Sequence, residues 1–315
     1  MGQVNLRKAA IIGCGFVGAS SAFALMQSGL FSELVLLDAV REKAEGEALD
    51  ISHGLPFARP MDIYAGDYAD IEDAAVIVVT AGAAQKPGET RLDLVKKNVA
   101  IFKSIMAQIE PLDCQGVMVV VANPVDILTQ VAIRYSGMPE SRVIGSGTVL
   151  DTARLKYLLG ANLDVDSRSV HAYIIGEHGD SEIPAWSCAT VSGVSLLDFF
   201  ELRGYHEPRY IMDQVADDVK NSAYEIIEKK HATYYGVAMG VKRICEAIIR
   251  DEKSILPVSV MLHGQFGIDG VVLSMPAVLG KNGMEGLVPL RLSNEEQESL
   301  RASANTLKEI ADAEI

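Results

Sequence analysis

Ala9-Ala10-Ile11-Ile12-Gly13-Cys14-Gly15-Phe16-Val17-Gly18 decides how the first half of this chain folds. Four apolar residues run into a G-x-G-x-x-G pattern, and a helix-forming run from Phe16 to Ser28 follows it. Glycines allow a tight turn and a close backbone approach, while the helix that opens there offers unpaired N–H groups and a partial positive charge. A pyrophosphate suits such a turn. The pattern has weight because it follows a strand and opens a helix. An acid is then expected about 20 residues on, at the end of the second strand. Asp38 ends the apolar run 34–37 and stands 20 residues beyond Gly18. Its carboxylate can accept hydrogen bonds from ribose hydroxyls and would repel a 2′-phosphate, so NAD rather than NADP is the expected cofactor. Gly13, Gly15, Phe16, Val17, Gly18 and Asp38 are the candidate cofactor-binding residues.

Outward from this turn, short apolar runs alternate with longer amphipathic ones. Residues 34–37, 75–79 and 117–121 read as strands, and Arg41–Ser52 and 92–109 as helices. Continuous apolar strands are buried on both faces, which implies a parallel sheet with helices on both sides. The alternation predicts an α/β fold, a Rossmann-type doubly wound parallel sheet. From about Gly145 the rhythm changes: helices are expected near Pro208–Lys230 and 236–250, with strand-like runs at 255–262 and 270–278. Ser293-Asn294-Glu295-Glu296 has the form of a capping box, so a last helix starts there. Without a proline-rich linker or repeats, the expectation is an NAD-binding Rossmann domain over 1–145 packed closely against a C-terminal α+β substrate domain over 146–315, with a cleft between them.

With 315 residues, 22% charged and 49% hydrophobic, the chain can bury a substantial core. A net charge of −14 argues against nucleic acid or an anionic membrane as partner. It leaves room for a small anionic substrate, because local arginines can override the global sign. Cys14, Cys114, Cys188 and Cys245 are scattered without the spacing of a metal site, so no metal is expected and the thiols read as reduced. The N-terminus lacks a secretory apolar region, Leu6 stands where myristoylation needs Ser or Thr, and no run reaches transmembrane length. A soluble, cytoplasmic protein is expected.

Ile174-Ile175-Gly176-Glu177-His178-Gly179-Asp180-Ser181 places one histidine in a glycine-flanked turn after a strand-like run. A histidine oriented by an aspartate is suited to proton transfer near neutral pH. Asp151 and Arg154 stand three apart, which on a helix puts them on one face. Together with Ala81-Gly82-Ala83-Ala84-Gln85-Lys86-Pro87-Gly88-Glu89-Thr90-Arg91, Ala122-Asn123-Pro124-Val125-Asp126 and Val149-Leu150-Asp151-Thr152-Ala153-Arg154, these motifs make the whole chain resemble the L-lactate dehydrogenases of the lactate/malate dehydrogenase superfamily. The resemblance implies reversible hydride transfer between NADH and pyruvate, giving L-lactate and NAD+. It implies His178 as the acid/base, Asp151 as its partner, Arg154 as the grip on the substrate carboxylate, and Asn123 as a contact to substrate and cofactor. It also implies that Arg91, at the end of a Gly- and Pro-rich segment, polarises the carbonyl when that segment closes.

Gln85 bears on the substrate. Malate dehydrogenases usually carry an arginine at the matching position, and a second carboxylate facing the neutral Gln85 would lack a counter-charge. This favours pyruvate over oxaloacetate, with malate or another L-2-hydroxy acid as the alternative substrate class. Thr233 matches the residue lining the methyl pocket, and Val237 matches the aliphatic wall behind the nicotinamide. His231 departs from a glycine common in bacterial relatives. The resemblance further implies a homotetramer, glycolytic and fermentative use, and activation by fructose 1,6-bisphosphate at Lys156 and His171. Lys156 there replaces the usual arginine and offers a point charge without a bidentate fork.

Overall fold

The computed structural model describes residues 4–83 and 91–315, with Arg91 described through its backbone alone. Strand β1 (Asn5–Ile12) runs into α1 (Phe16–Ser28), followed by β2 (Glu33–Leu37), α2 (Arg41–Ser52), β3 (Asp62–Ala65) and β4 (Ala74–Val79). Then come α3 (Arg91–Ile109), β5 (Val117–Val120), α4 (Val125–Tyr135) and β6 (Val143–Gly145). These strands pair in parallel in the order β6-β5-β4-β1-β2-β3. The order reverses between β1 and β4, and a doubly wound sheet opens its binding crevice at that point, beyond the carboxyl ends of the strands. Every residue of β4 and β5 is buried, so both are uniformly apolar. The sequence reading passed over β3 and β6. β3 buries one of its four residues and β6 is three residues long, too little for either to carry a periodic signal.

The second half contains α5 (Val149–Leu163), β7 (Val170–His171), β8 (Ile174–Ile175), β9 (Ile183–Pro184), β10 (Thr190–Val191), β11 (Val194–Ser195), α6 (Leu196–Leu202), α7 (Pro208–Lys230) and α8 (Tyr235–Ile249). It closes with β12 (Ser254–His263), β13 (Asp269–Gly280), β14 (Gly283–Leu287) and α9 (Asn294–Glu314). β12, β13 and β14 are antiparallel and extend the first sheet, with β12 beside β6. At that junction Gly145 lies opposite Ser259, and a Cβ on it would stand 2.7 Å from the Ser259 Cβ and 2.5 Å from Thr129 Oγ1. Glycine is what lets the two strands meet.

The core follows the same continuity. One apolar cluster runs from β1 through β12, β13 and α9. A second gathers Leu155, Leu159 and Leu163 of α5 against Val170, Phe200 and Val219. α7 ends on His231 at φ +70°, a left-handed helix cap where glycine is the least strained residue. That explains why a glycine suits this position; nothing in the structure explains the histidine that replaces it. Among the described residues no helix is long and apolar enough to cross a membrane.

Candidate active site

The turn after β1 has three glycines with separate reasons. Gly13 has φ +102°, and a Cβ on it would meet the Ala81 amide nitrogen at 2.5 Å. A Cβ on Gly18 would lie 1.8 Å from the Gly13 carbonyl oxygen, so this glycine lets α1 pack on the strand. Gly15 needs neither explanation: its φ is −74°, and no protein atom lies within 4 Å of where its Cβ would be. It is exposed at the mouth of a cavity of about 790 Å³ that also includes Asp38, Thr80 and Ala81. A glycine with open space above it, at a helix N-terminus, is a cradle for a phosphate. Phe16 is exposed and stacks on Tyr234 at 5.3 Å between ring centroids, and Val17 packs against the core.

Asp38 follows β2 and faces that cavity. Its Oδ2 accepts from the Cys14 amide at 2.7 Å and its Oδ1 from the Val40 amide at 3.0 Å. Partial burial opposes the charge, but these amides and Lys43 at 3.6 Å hold the carboxyl below the usual range. An ionised acid with lone pairs to spare is the group that a ribose diol requires.

The catalytic candidates meet at the other side of the β4–β5 loops. Asp151 and Arg154 share one face of α5, and their side chains join at 2.7 Å. This is an i,i+3 ion pair, and it is buried: Asp151 is 3% and Arg154 14% exposed. The other Asp151 oxygen meets His178 Nδ1 at 2.6 Å. His178, Asp151, Arg154 and Asn123 line one cavity of about 320 Å³, closed on the far side by Val219, Lys220 and other residues of α7. Burial works against the imidazolium, yet Asp151, with help from Asp126 and Glu182, pushes the His178 pKa up to about 9. The same contact, with Arg154, keeps Asp151 below the usual carboxylate range despite its burial. The ring therefore holds its proton at neutral pH, with Nδ1 committed to Asp151 and Nε2 the remaining nitrogen.

Several contributors escaped the sequence reading. Asn98 of α3, buried, accepts from the Ala83 amide at 2.8 Å and donates to the Asn123 carbonyl at 2.7 Å, tying the loops after β4 and β5 together. Glu182 lines the cavity, and burial beside Asp151 raises its pKa well above the carboxylate range. One carboxylate oxygen each from Asp151 and Glu182 and one ring nitrogen of His178 lie within 4.8 Å of one another. Tyr224 of α7 donates to Asp180 at 2.8 Å, and Asp126 and Ser259 sit behind the catalytic turn. Asp126 falls inside a quoted motif; the others are tertiary partners with no local spacing to betray them.

Other predicted residues lie elsewhere. Thr233 is half-buried between α7 and α8, and Val237, in the first turn of α8, packs against the core; neither is among the residues lining the His178 cavity. Lys156 and His171 come together on a separate cavity of about 450 Å³ with Arg243. Burial lowers the Lys156 pKa. Gln85 lies outside the described residues, as does the side chain of Arg91.

Residues 7–145 match the NAD-binding domain of the lactate/malate dehydrogenases, and residues 148–314 match their alpha/beta C-terminal domain. An L-lactate dehydrogenase of Clostridium acetobutylicum is 50% identical over 97% of this chain and 98% of its own length. One from Priestia megaterium is 53% identical over 97% and 96%. The crystal structure of a minor L-lactate dehydrogenase from Enterococcus mundtii, in a ligand-bound form, superposes with a TM-score of 0.94 at 43% identity, covering 98% of each chain.

Proposed function

The chain belongs to the lactate/malate dehydrogenase family, and within it we propose an NAD-dependent L-lactate dehydrogenase that interconverts pyruvate and L-lactate. The carrying observation is the buried chain Arg154–Asp151–His178 on one cavity beside Asn123. The Gly15 cradle and the ionised Asp38 fit NAD, which when bound supplies or accepts the hydride.

His178 donates its Nε2 proton to the substrate carbonyl oxygen in reduction and takes it back in oxidation. Asp151 fixes the ring and, more than Asp126 or Glu182, stabilises its charged form against the opposing effect of burial. The Arg154 guanidinium binds the substrate carboxylate; its fork can pair both oxygens, which a lysine could not do. Arg91, at the start of α3, is assigned the developing negative charge on the carbonyl oxygen. Thr233 and Val237 are assigned to the substrate methyl and the nicotinamide. The cofactor half is taken as 1–145 and the substrate half as 146–315.

Pyruvate is favoured over a dicarboxylate on two grounds. Gln85 offers no charge to a second carboxylate. Glu182, its pKa raised to about 8, is largely protonated at neutral pH, so Asp151 and Asp180 oppose Arg154, Lys220 and His178; the one surplus positive charge is matched by the first carboxylate, and a second finds none among the described residues. Replacing His178 with Asn is expected to lower kcat by at least about a thousandfold, in the range attributed to a positioned acid, with NADH binding retained. Turnover at the wild-type rate would refute the assignment.

The shared cavity of Lys156, His171 and Arg243 supports fructose 1,6-bisphosphate as activator, and the resemblance supports a cytoplasmic homotetramer serving glycolysis and fermentation. Saturating bisphosphate should lower the pyruvate KM of the wild type and leave Lys156→Ala unaffected. An unchanged KM together with an unchanged oligomer distribution would remove this part of the reading.

A further inference from the structure

The main-chain amide of His178 donates to Asp126 Oδ2 at 2.8 Å. The other oxygen of Asp126 accepts from the Ser259 hydroxyl at 2.6 Å. Asp126 is 2% exposed and Ser259 is fully buried. Three separate elements meet here: α4 carries Asp126, β12 carries Ser259, and the catalytic turn carries His178. Ser259 is also the residue opposite Gly145 where β12 joins the parallel sheet. The Asp126 carboxylate therefore ties the turn that holds the proton donor to the seam between the two halves of the sheet.

Resting on the reading of His178 as the proton donor, we propose that Asp126 is a positioning residue: braced by Ser259, it fixes the His178 backbone and so the point from which the proton is delivered. His178 is held at both ends, by Asp151 at the ring and by Asp126 at the main chain. A carboxylate suits the second task because both neighbours are donors and an ionised acid only accepts.

This arrangement titrates. Burial pushes the Asp126 carboxyl up to about 6, against the pull of the Ser259 hydroxyl and the His178 amide and ring. The titratable groups facing it are His178 and Glu177, both of the catalytic turn; Glu177 adds to the upward push. From β12 it meets the neutral Ser259 hydroxyl, which in turn lies 3.4 Å from Ser274 Oγ of β13. As pH falls through about 6 the carboxylate gains a proton: one oxygen still accepts from the His178 amide, but the other now donates to Ser259, whose hydroxyl must turn to accept, and the charge that strengthens the hold on the amide is gone. His178, raised to about 9, is already protonated there and cannot be the source of an acid limb.

The test is kcat for pyruvate reduction against pH in the wild type, Ser259→Ala, Asp126→Asn and Asp126→Ala, each checked for folding by circular dichroism. The wild type should lose kcat on the acid side near pH 6. Ser259→Ala removes a donor that stabilises the ionised acid, so the limb should move up by roughly half to one pH unit. Asp126→Asn mimics the protonated acid, its oxygen accepting from His178 and its nitrogen donating to Ser259, so the limb should vanish, with kcat held at the lowered level the wild type reaches below pH 6 and above that of Asp126→Ala. Asp126→Ala loses both anchors and should lose kcat by at least about tenfold without weaker NADH binding. An acid limb unmoved in both Ser259→Ala and Asp126→Asn, or a folded Asp126→Ala with wild-type kcat, would overturn the proposal. Wild-type turnover in His178→Asn would instead remove the reading beneath it.

Discussion

At His178 a single ion pair sets which protonation state of the ring, the one that suits pyruvate or the one that suits lactate, the free enzyme holds at a given pH. Burial alone would favour the neutral ring, and Asp151 at 2.6 Å reverses that. With the pKa raised to about 9, kcat/KM for pyruvate should be flat through neutral pH and fall as pH rises through 9, while that for lactate rises over the same interval. Replacing Asp151 with Asn removes the main upward influence and leaves burial, so both limbs should move to lower pH; limbs that stayed in place would show that Asp151 does not set the proton's affinity. The raised pKa also adds stability that is fully present below about 6.5 and fades as pH rises through about 9. His178, Asp151 and Arg154 were legible in the sequence because two stand at helical spacing and the third in a marked turn. Asp126, Glu182 and Asn98 were not, since their roles depend on partners 52, 28 to 31 and 15 to 25 positions away in the chain, brought close only by folding.

Among elements, the β1–α1 turn separates packing from binding. Gly18→Ala would force a methyl to within 1.8 Å of a carbonyl oxygen and should cost about 1–3 kcal/mol of stability. Gly15→Ala adds its methyl to open space at an ordinary φ, so the melting temperature should hold while NADH binds more weakly. Unchanged NADH affinity in Gly15→Ala would end the reading of that glycine as a cradle. The bounds of α1, α2 and α7 lie where the sequence places them, with Gly29 at φ +64° closing α1 and Pro208 opening α7. The capping box of α9 forms as read, with Ser293 Oγ accepting from the Glu296 amide at 3.2 Å and Glu296 accepting from the Ser293 amide at 2.8 Å. Its second task was hidden: Glu296 also accepts from the Ser187 amide at 2.9 Å, a contact 109 residues away.

For the whole molecule, the continuous sheet determines where chemistry can occur. β12 joins β6 directly, and the catalytic turn is braced from both halves, by Asp126 of α4 and by the Gly176–Ser274 bridge to β13, with Asn123 and Pro124, just after β5, lining the same cavity. The doubly wound half was readable from alternating apolar runs. The seam was not, because it depends on one strand of three residues meeting another more than a hundred residues later. The charges around the cavity, matched once the first carboxylate is bound, make a second substrate carboxylate costly, which is the central discrimination in this account. The measurement that tests it most directly is the rate of NADH oxidation with pyruvate and, separately, with oxaloacetate. The account predicts kcat/KM higher for pyruvate by about a hundredfold or more, the scale of an unpaired buried charge. An equal or greater value for oxaloacetate would contradict it and move the protein to the malate branch of its family.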